Sequence, residues 1–301
     1  MSVIAIVAAL LLEQWRPLGE RKAVASALHG WADWLERSFD AGESSHGMVA
    51  WVIAVLLPVA VTIALHVALD AMSPFAALLL DVAVLYLTLG FRQFSHFFTG
   101  IQLAIREGEV DRARELIGAW RGESALHRSR EEVVRLAIEE AIAASHRHVF
   151  AVLLWYILLP GPSGAILYRL AAYLAHRWGG KGEFGRFAAH ALYVLEWPAA
   201  RLTAASFAVV GDFEDAVYCW RTQAASWPDP NLGIVLAAGA GALGVRLGMP
   251  LTEVDSLQAR PELGLGETAD APFLDSVVGL LWRALVVWIF LLILVTLARI
   301  F

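Results

Sequence analysis

Ionisable side chains inside apolar sequence are the first residues of this chain that could do chemistry. They are His66, Asp81, Glu196, Arg201, Arg246 and Arg283. A charge in such a setting is costly, so it usually pairs with another group or serves a site. Arg201 and Arg246 could bind an anionic ligand, with Glu196 or Asp81 as internal counter-charges. Snorkelling of the guanidinium to the membrane interface explains these two arginines equally well, and it is the better explanation for Arg283.

A stripe of polar residues lies along one predicted helix, which begins near Glu131. Its members are Glu132, Arg135, Glu139 and His146. Their spacing places them on one face of the helix. Such a stripe is usually solvated, but this helix continues into apolar sequence, so its polar face could line a cavity. Glu139 and Arg147 are separated by about 12 Å of helical rise, so one helix could line that cavity from mouth to floor.

These observations predict a binding site. We expect at least two of the guanidinium groups of Arg147, Arg201 and Arg246 to converge on a cavity open to the cytoplasm, because a buried guanidinium requires a partner. Glu139 or Glu196 should be among their partners. These five residues are the candidate ligand-binding set, and they suit an anionic small molecule that carries phosphate or carboxylate. Pairing of the arginines for structure alone is the open alternative, and no catalytic residue is assigned.

Two motifs that resemble known sites fail on their context. Gly239-Ala-Gly241-Ala-Leu-Gly244 matches the dinucleotide-binding fingerprint, but that fingerprint requires a preceding strand, and this segment is predicted to be helical. His146-Arg147-His148 resembles a metal cluster, yet positions two apart on a helix do not face each other. We interpret the histidines as interfacial anchors. The sequence therefore predicts no metal site and no bound cofactor.

Composition places the chain in a lipid bilayer. Hydrophobic residues make up 58% of its 301 residues and charged residues only 17%, whereas a soluble domain is about 45–50% apolar. The mean hydropathy is +0.61. A net charge of −6 provides no basic surface for nucleic acid. The single Cys219 excludes an intrachain disulfide framework. Protein partners or a homo-oligomer are left open.

The candidate site must be positioned by helices. Four stretches approach the length that spans a bilayer: Gly47–Leu69, Pro74–Phe91, Val149–Leu159 and Val277–Ala298. Further helices are predicted over Ser2–Leu12, Ser26–Phe39, Gln102–Trp120, Glu131–Ala144, Ala165–Trp178, Phe187–Val210 and Asn231–Gly248. Ser26–Phe39 is amphipathic, which fits either a helix in the headgroup region or one packed on the protein. No strand pattern persists.

The predicted fold class is all-α, a polytopic helical membrane protein. Residues 1–301 are expected to form a single membrane-embedded domain with a cytoplasmic helical insert at about 92–148. Arginines crowd the segments Glu13–His46 and Arg92–His148, whereas the turns at Asp70–Ser73 and Pro160–Gly164 carry no basic residue. Because lysine and arginine favour the cytoplasmic side, both turns should face outward. The predicted location is the bacterial inner membrane.

The order of these features resembles that of the CobD/CbiB adenosylcobinamide-phosphate synthases of cobalamin biosynthesis and of the related AmpE proteins. An acidic residue follows a short apolar start, in Leu12-Glu13 and Leu18-Gly19-Glu20. Ala240-Gly-Ala-Leu-Gly-Val-Arg-Leu-Gly248 looks much like an Ala-Gly-Ala-Leu-Gly segment of the synthases. Val194-Leu-Glu-Trp-Pro-Ala-Ala-Arg-Leu202 is similar to AmpE. The resemblance covers most of the chain.

The chain departs from the synthases at their acidic and amide positions. Their motif Glu-Thr-Val-Ala-Glu-Asn-x-x-Asp-Gly is represented by the segment Glu139–His148, which keeps only Glu139. Their Asp-Asp-x-Ala-Asn pattern becomes Leu192–Glu196. Amide formation from a carboxylate requires activation, normally by ATP, and acids that hold Mg²⁺ around phosphates. The departures favour a non-catalytic, AmpE-like regulatory or scaffolding protein without a cofactor. The alternative is a synthase that joins an aminopropanol unit to a corrinoid with ATP and Mg²⁺.

Overall fold

The computed structural model describes residues 2–15, 22–39, 44–251 and 260–298. Arg16, Arg21 and the Leu18-Gly19-Glu20 part of the resemblance lie outside these ranges. The first helices are α1 (Ser2–Trp15), α2 (Lys22–Phe39), α3 (Ser44–Met72), α4 (Pro74–Thr88), α5 (Phe91–Glu107) and α6 (Val110–Arg121). The next are α7 (Arg130–Ser145), a π-helical turn (His146–Phe150), α8 (Ala151–Leu158) and α9 (Ser163–Trp178). The last are α10 (Gly182–Val210), α11 (Phe213–Gln223), α12 (Pro230–Leu243) and α13 (Ala271–Ala298).

The prediction of an all-α helical membrane protein is confirmed. Three helical stretches are long and apolar enough to cross a bilayer: Ser45–Met72, Arg130–Leu158 and Ala271–Ala298. The predicted span Pro74–Phe91 is shorter than expected, because α4 ends at Thr88 and a new helix begins at Phe91. The position of an insert relative to the membrane stays a prediction.

The prediction of one helix over Gln102–Trp120 is wrong. The structure divides this stretch between α5 and α6, which contact each other. Gly108 lies at the break with φ of +79°, a left-handed conformation that a residue with a Cβ adopts at a cost. The 3–4 spacing of apolar residues continues on both sides of the break. Periodicity therefore could not reveal that the helix is interrupted.

The chain divides into two compact units, each described by itself. The first comprises Met1–Gly90 and Ala151–Pro198. In it α3 packs against α2, α4 and α9, and α1 against α4. The buried Ala32 and Leu35 hold α2 against this core, and Arg177 on α9 pairs with Asp33. Of the two interpretations left open for this amphipathic helix, the structure supports packing on the protein, although Trp34 stays exposed.

The second unit comprises Phe91–Phe150 and Ala199–Phe301, and α7 is its central helix. α7 contacts α5, α6, α12 and α13, and most of its residues are buried. A capping box starts it: Ser129 accepts from the Glu132 amide, and the Glu132 carboxylate accepts from the Ser129 amide. This arrangement satisfies two backbone donors that the first turn would otherwise leave unpaired. Glu132, the first polar residue of the predicted stripe, therefore belongs to the capping box of α7.

A short parallel pair of strands follows α12 and was not predicted. β1 (Val245–Arg246) pairs with β2 (Glu267–Thr268), and Leu247 forms an antiparallel bridge with Leu263. α12 ends at Leu243 and is capped by Gly244, whose φ of +65° starts the reversal. The predicted helix Asn231–Gly248 thus ends early, because this glycine takes the left-handed conformation typical of a helix C-terminus. We call residues 244–251 and 260–268 the paired segments.

Candidate functional site

Glu139 is the most completely engaged carboxylate of the predicted site. It is 4% exposed. Its Oε1 accepts from the backbone amide of Gly248 at 2.8 Å, and its Oε2 accepts from Nη2 of Arg260 at 2.6 Å. Charge-assisted bonds of this length are strong. The carboxylate therefore joins α7 to both paired segments.

Arg260 was missed by the sequence analysis, although it is the partner of the best-placed acid. Its side chain is only 7% exposed. It lies 5.6 Å from the ring centroid of Trp227, which adds a cation–π contact. Its Nε also donates to the carbonyl of Met249 at 3.4 Å. Arg260 does not interrupt apolar sequence, so no signal used here could have singled it out.

The π-helical turn at the end of α7 carries the predicted histidine and arginine. His146 is buried, and its Nδ1 lies 3.0 Å from the hydroxyl of Thr203 on α10. A π-turn shifts the residues after it around the helix axis, and such turns recur at functional sites. The turn separates His146, which faces the protein interior, from Arg147, whose side chain is 43% exposed.

Arg147 and Arg201 both reach the first residues of α12. Nη2 of Arg147 lies 4.0 Å from the carboxylate of Asp229, and Nη1 of Arg201 donates to the amide oxygen of Asn231 at 3.3 Å. Asp229 caps the helix by accepting from the amides of residues 231 and 232. An Asp-Pro-Asn sequence at 229–231 is a readable helix start, so the partner element could have been found from the sequence.

The other candidate residues lie elsewhere. Arg246 is 3.6 Å from Glu262 within the paired segments. Glu196 accepts from the hydroxyl of Tyr168 at 3.2 Å in the first unit. Thus Arg147 and Arg201 both contact the N-terminal end of α12, at residues 229 and 231, whereas Glu139 contacts Arg260. That the five residues bind a ligand stays a prediction.

A separate polar cluster lies among the apolar helices of the first unit. Asp81 on α4 is 4% exposed. Its Oδ1 lies 3.0 Å from Nδ1 of His66 on α3, and its Oδ2 accepts from the hydroxyl of Tyr156 on α8 at 3.0 Å. The ring of His66 also packs against Gly161, where a Cβ would lie 2.4 Å from the ring. From the sequence, Asp81 was proposed as a counter-charge to an arginine. In the structure it pairs with His66 instead.

The carboxylates and histidines of the described residues could be ligands for a metal ion only if several of them lay together. Within the described ranges no group of three or more His, Cys, Asp or Glu side chains is arranged to hold one. Mg²⁺ is usually held by one or two carboxylates together with phosphate and water. Glu139 is already engaged by Arg260 and Gly248, and Glu132 belongs to the capping box. Glu139 and Glu132 are thus engaged by other groups, and we assign neither to a protein-held Mg²⁺.

Comparison with known proteins decides the family. The family profile described as "CobD/Cbib protein" matches residues 6–281. The chain belongs to the CobD/CbiB family. A protein of Stutzerimonas stutzeri named "Cobalamin biosynthesis protein CobD" is 35% identical over 301 residues, which is 97% of each chain. A protein of the same name from Chromobacterium violaceum is 37% identical over 219 residues, 71% of this chain and 70% of its own length. No solved structure matches the chain.

Membership of the CobD/CbiB family confirms the resemblance drawn from the sequence and corrects the function. The expectation of a non-catalytic, AmpE-like regulatory protein is wrong, because relatives similar over most of their length carry the cobalamin biosynthesis name. That expectation rested on side chains missing from short motifs. Within a family, individual motif positions change while the length and the order of segments are retained, as they are here over residues 6–281.

Proposed function

We propose that this CobD/CbiB chain is an adenosylcobinamide-phosphate synthase-type enzyme, which joins an aminopropanol unit to a corrinoid carboxylate through an amide bond. The observation that carries the proposal is the 35% identity over 97% of both chains with a protein named for cobalamin biosynthesis. Because several synthase motif residues are missing from this chain, we assign roles only to residues that it contains.

Amide formation requires that the carboxylate lose an oxygen. ATP supplies the activation by phosphorylating that oxygen, after which the amine displaces phosphate. The protein must hold phosphate groups and keep water away from the activated carboxylate. Arginine suits the first task because its planar guanidinium makes two parallel bonds to phosphate oxygens.

Arg147 and Arg201 are the residues that we assign to phosphate. They contact Asp229, the N-cap of α12, and Asn231, its second residue. The contact of Arg147 with Asp229 is long, at 4.0 Å, and both side chains are partly exposed. Such a contact contributes little, so it can be exchanged for a ligand. Arg246 forms a similar contact, because it lies 3.6 Å from Glu262 and both side chains are partly exposed.

The proposed setting is the bacterial inner membrane, with the arginine-rich segment Arg92–His148 in the cytoplasm. This orientation is supported by loop charge. It would place the nucleotide on the side where it is made. The bound ligand would be an anionic small molecule, as the arginines favour.

Complementation and purified activity test the proposal. The gene should restore cobalamin synthesis in a strain that lacks the synthase, and the purified chain should convert adenosylcobyric acid when ATP, Mg²⁺ and the aminopropanol substrate are supplied. Arg147→Ala and Arg201→Ala should each lower kcat/KM about 10- to 100-fold, as expected when a charge-assisted contact is lost. Arg186→Ala is the matched control, because Arg186 is exposed and pairs only locally with Glu183. Failure of the wild-type gene to complement would refute the proposal.

A further inference from the structure

Glu139 is the one residue that this chain keeps from the acidic motif of its family, yet its two oxygens are already bonded. Oε1 accepts from Gly248 and Oε2 from Arg260. Both side chains of the ion pair are at least nine-tenths buried. Each oxygen of Glu139 therefore already accepts one strong hydrogen bond, which points to a structural use of this carboxylate.

We infer that Glu139 and Arg260 act as one positioning pair, which holds the paired segments on α7 and thereby fixes Arg246. The carboxylate reaches both sides of the reversal: Gly248 belongs to residues 244–251 and Arg260 to residues 260–268. Removal of Arg260 leaves the buried carboxylate with Arg135, the buried arginine one turn earlier on α7. Removal of Glu139 leaves the two buried arginines without the carboxylate. Either loss costs more than removal of both partners of the pair.

The backbone of the paired segments leaves little room for another arrangement. Leu247 and Leu263 exchange amide–carbonyl bonds of 2.7 and 3.0 Å. At Gly248, where φ is +72°, an added Cβ would lie 1.9 Å from the carbonyl oxygen of Pro261. The segments are thus joined closely to each other. Their attachment to α7 runs through the carboxylate of Glu139 and a longer contact of 3.5 Å from Arg135 to the carbonyl of Pro250.

This attachment matters for Arg246 because the arginine lies two residues before Gly248. Its side chain is 39% exposed, and its Nη1 lies 3.6 Å from Glu262 in the opposite segment. Loss of the positioning pair should therefore displace the side chain of Arg246 although residue 246 itself is not mutated. This functional part of the inference rests on the proposed function, whereas the structural part stands without it.

A double-mutant cycle on the full chain in detergent tests the inference. The variants are Glu139→Gln, Arg260→Met and the two combined, each measured for Tm and for kcat and KM with ATP. Each single variant should lower Tm by about 10 °C, since one buried charge loses its partner. The combined variant should recover at least half of that loss. Its KM for ATP should stay raised, because the paired segments still lack their attachment to α7 and Arg246 stays displaced, with kcat changed less than KM.

The neighbouring pair on the same helix is the matched control. Glu140 accepts from Arg121 at 3.4 Å, and the Glu140 side chain is 27% exposed. Glu140→Gln, Arg121→Met and their combination should change Tm by little and show no recovery, because partly exposed pairs contribute little. This comparison separates the effect of a positioning pair from a general effect of charge on α7.

Three results would overturn the inference. One is a combined Glu139→Gln/Arg260→Met variant whose Tm recovers and whose KM for ATP equals the wild-type value, but whose kcat is as low as that of Glu139→Gln, which would make Glu139 a catalytic residue. Another is a combined variant whose loss of Tm equals the sum of the losses in the two single variants. The third is a combined variant that does not fold. If the wild-type chain shows no synthase activity, the proposed function fails, and recovery of Tm alone still decides whether the two residues form one pair.

Discussion

Polar side chains in the apolar helices of this protein are held in pairs and small clusters. Asp81 illustrates the principle, because its two oxygens lie against two different partners, His66 and Tyr156, on two different helices. In an apolar environment each of these groups needs the other. Glu139 and Arg260 follow the same rule in the second unit.

Asp81→Ala is expected to destabilise the protein by about 1–3 kcal/mol, because the hydroxyl of Tyr156 and the ring of His66 lose a buried partner. Asp81→Asn should cost less, since its amide oxygen still accepts from Tyr156. Thermal unfolding in detergent measures both changes. Asp70→Ala is the control at an exposed position near the end of the same hairpin. Equal losses for Asp81→Ala and Asp70→Ala would show that the cluster contributes nothing.

At the scale of elements, breaks between helices decide where the polar groups lie. α5 and α6 would form one continuous amphipathic helix but for the left-handed backbone at Gly108. The two helices can then both contact α7. A glycine with a left-handed backbone, Gly244, also ends α12. The paired segments that contain Arg246 and Arg260 begin there.

Gly108→Ala should destabilise the protein by about 1 kcal/mol, because a Cβ disfavours the left-handed conformation. No heavy atom lies within 4 Å of the added Cβ, so the loss measures the backbone alone. Gly30→Ala is the control with the opposite sign. Gly30 lies in the interior of α2 with equally open space, and alanine favours a helix by up to about 1 kcal/mol. Unfolding temperatures that rise for both variants would contradict the assignment of a break at Gly108.

At the scale of the whole molecule, the chain is an all-α helical membrane protein of the CobD/CbiB family whose long apolar helices must be oriented in a bilayer. Loop arginines provide the orientation. The turn at Asp70–Ser73 has no lysine or arginine, whereas Arg92–His148 has many. The free energy of moving these charges across the bilayer favours a cytoplasmic location for the second segment.

Alkaline phosphatase fused after Ser73 should therefore be active, and the same enzyme fused after Gly122 should be inactive. The physical reason is that the phosphatase folds only on the outer side of the inner membrane. A fusion after Gly164 is a second outward control, in the other uncharged turn. Activity after Gly122 together with inactivity after Ser73 would reverse the orientation, and with it the proposed cytoplasmic nucleotide side.

The sequence alone determined the class of the protein and most of its helices. Runs of apolar residues, the breakers at Pro160–Gly164 and the loop charges act locally, so they can be interpreted without tertiary contacts. The helix that begins at Arg130 and continues through the π-turn to Leu158 was predicted nearly to its ends. The family resemblance was also correct, because it rested on the order of segments along the chain.

Only the tertiary structure decided which charges meet. Glu139 and Arg260 are separated by 121 residues, and no periodicity links two residues at that distance. Arg260 lies in sequence without an apolar pattern, so its burial depends on the paired segments, which form through glycines with left-handed backbones at 248 and 264. Motif comparison also misjudged the function, because it counted acids missing from short motifs, whereas the chain matches its family over residues 6–281. Which distant charges pair depends on how the helices and the paired segments pack, and local sequence patterns do not determine that packing.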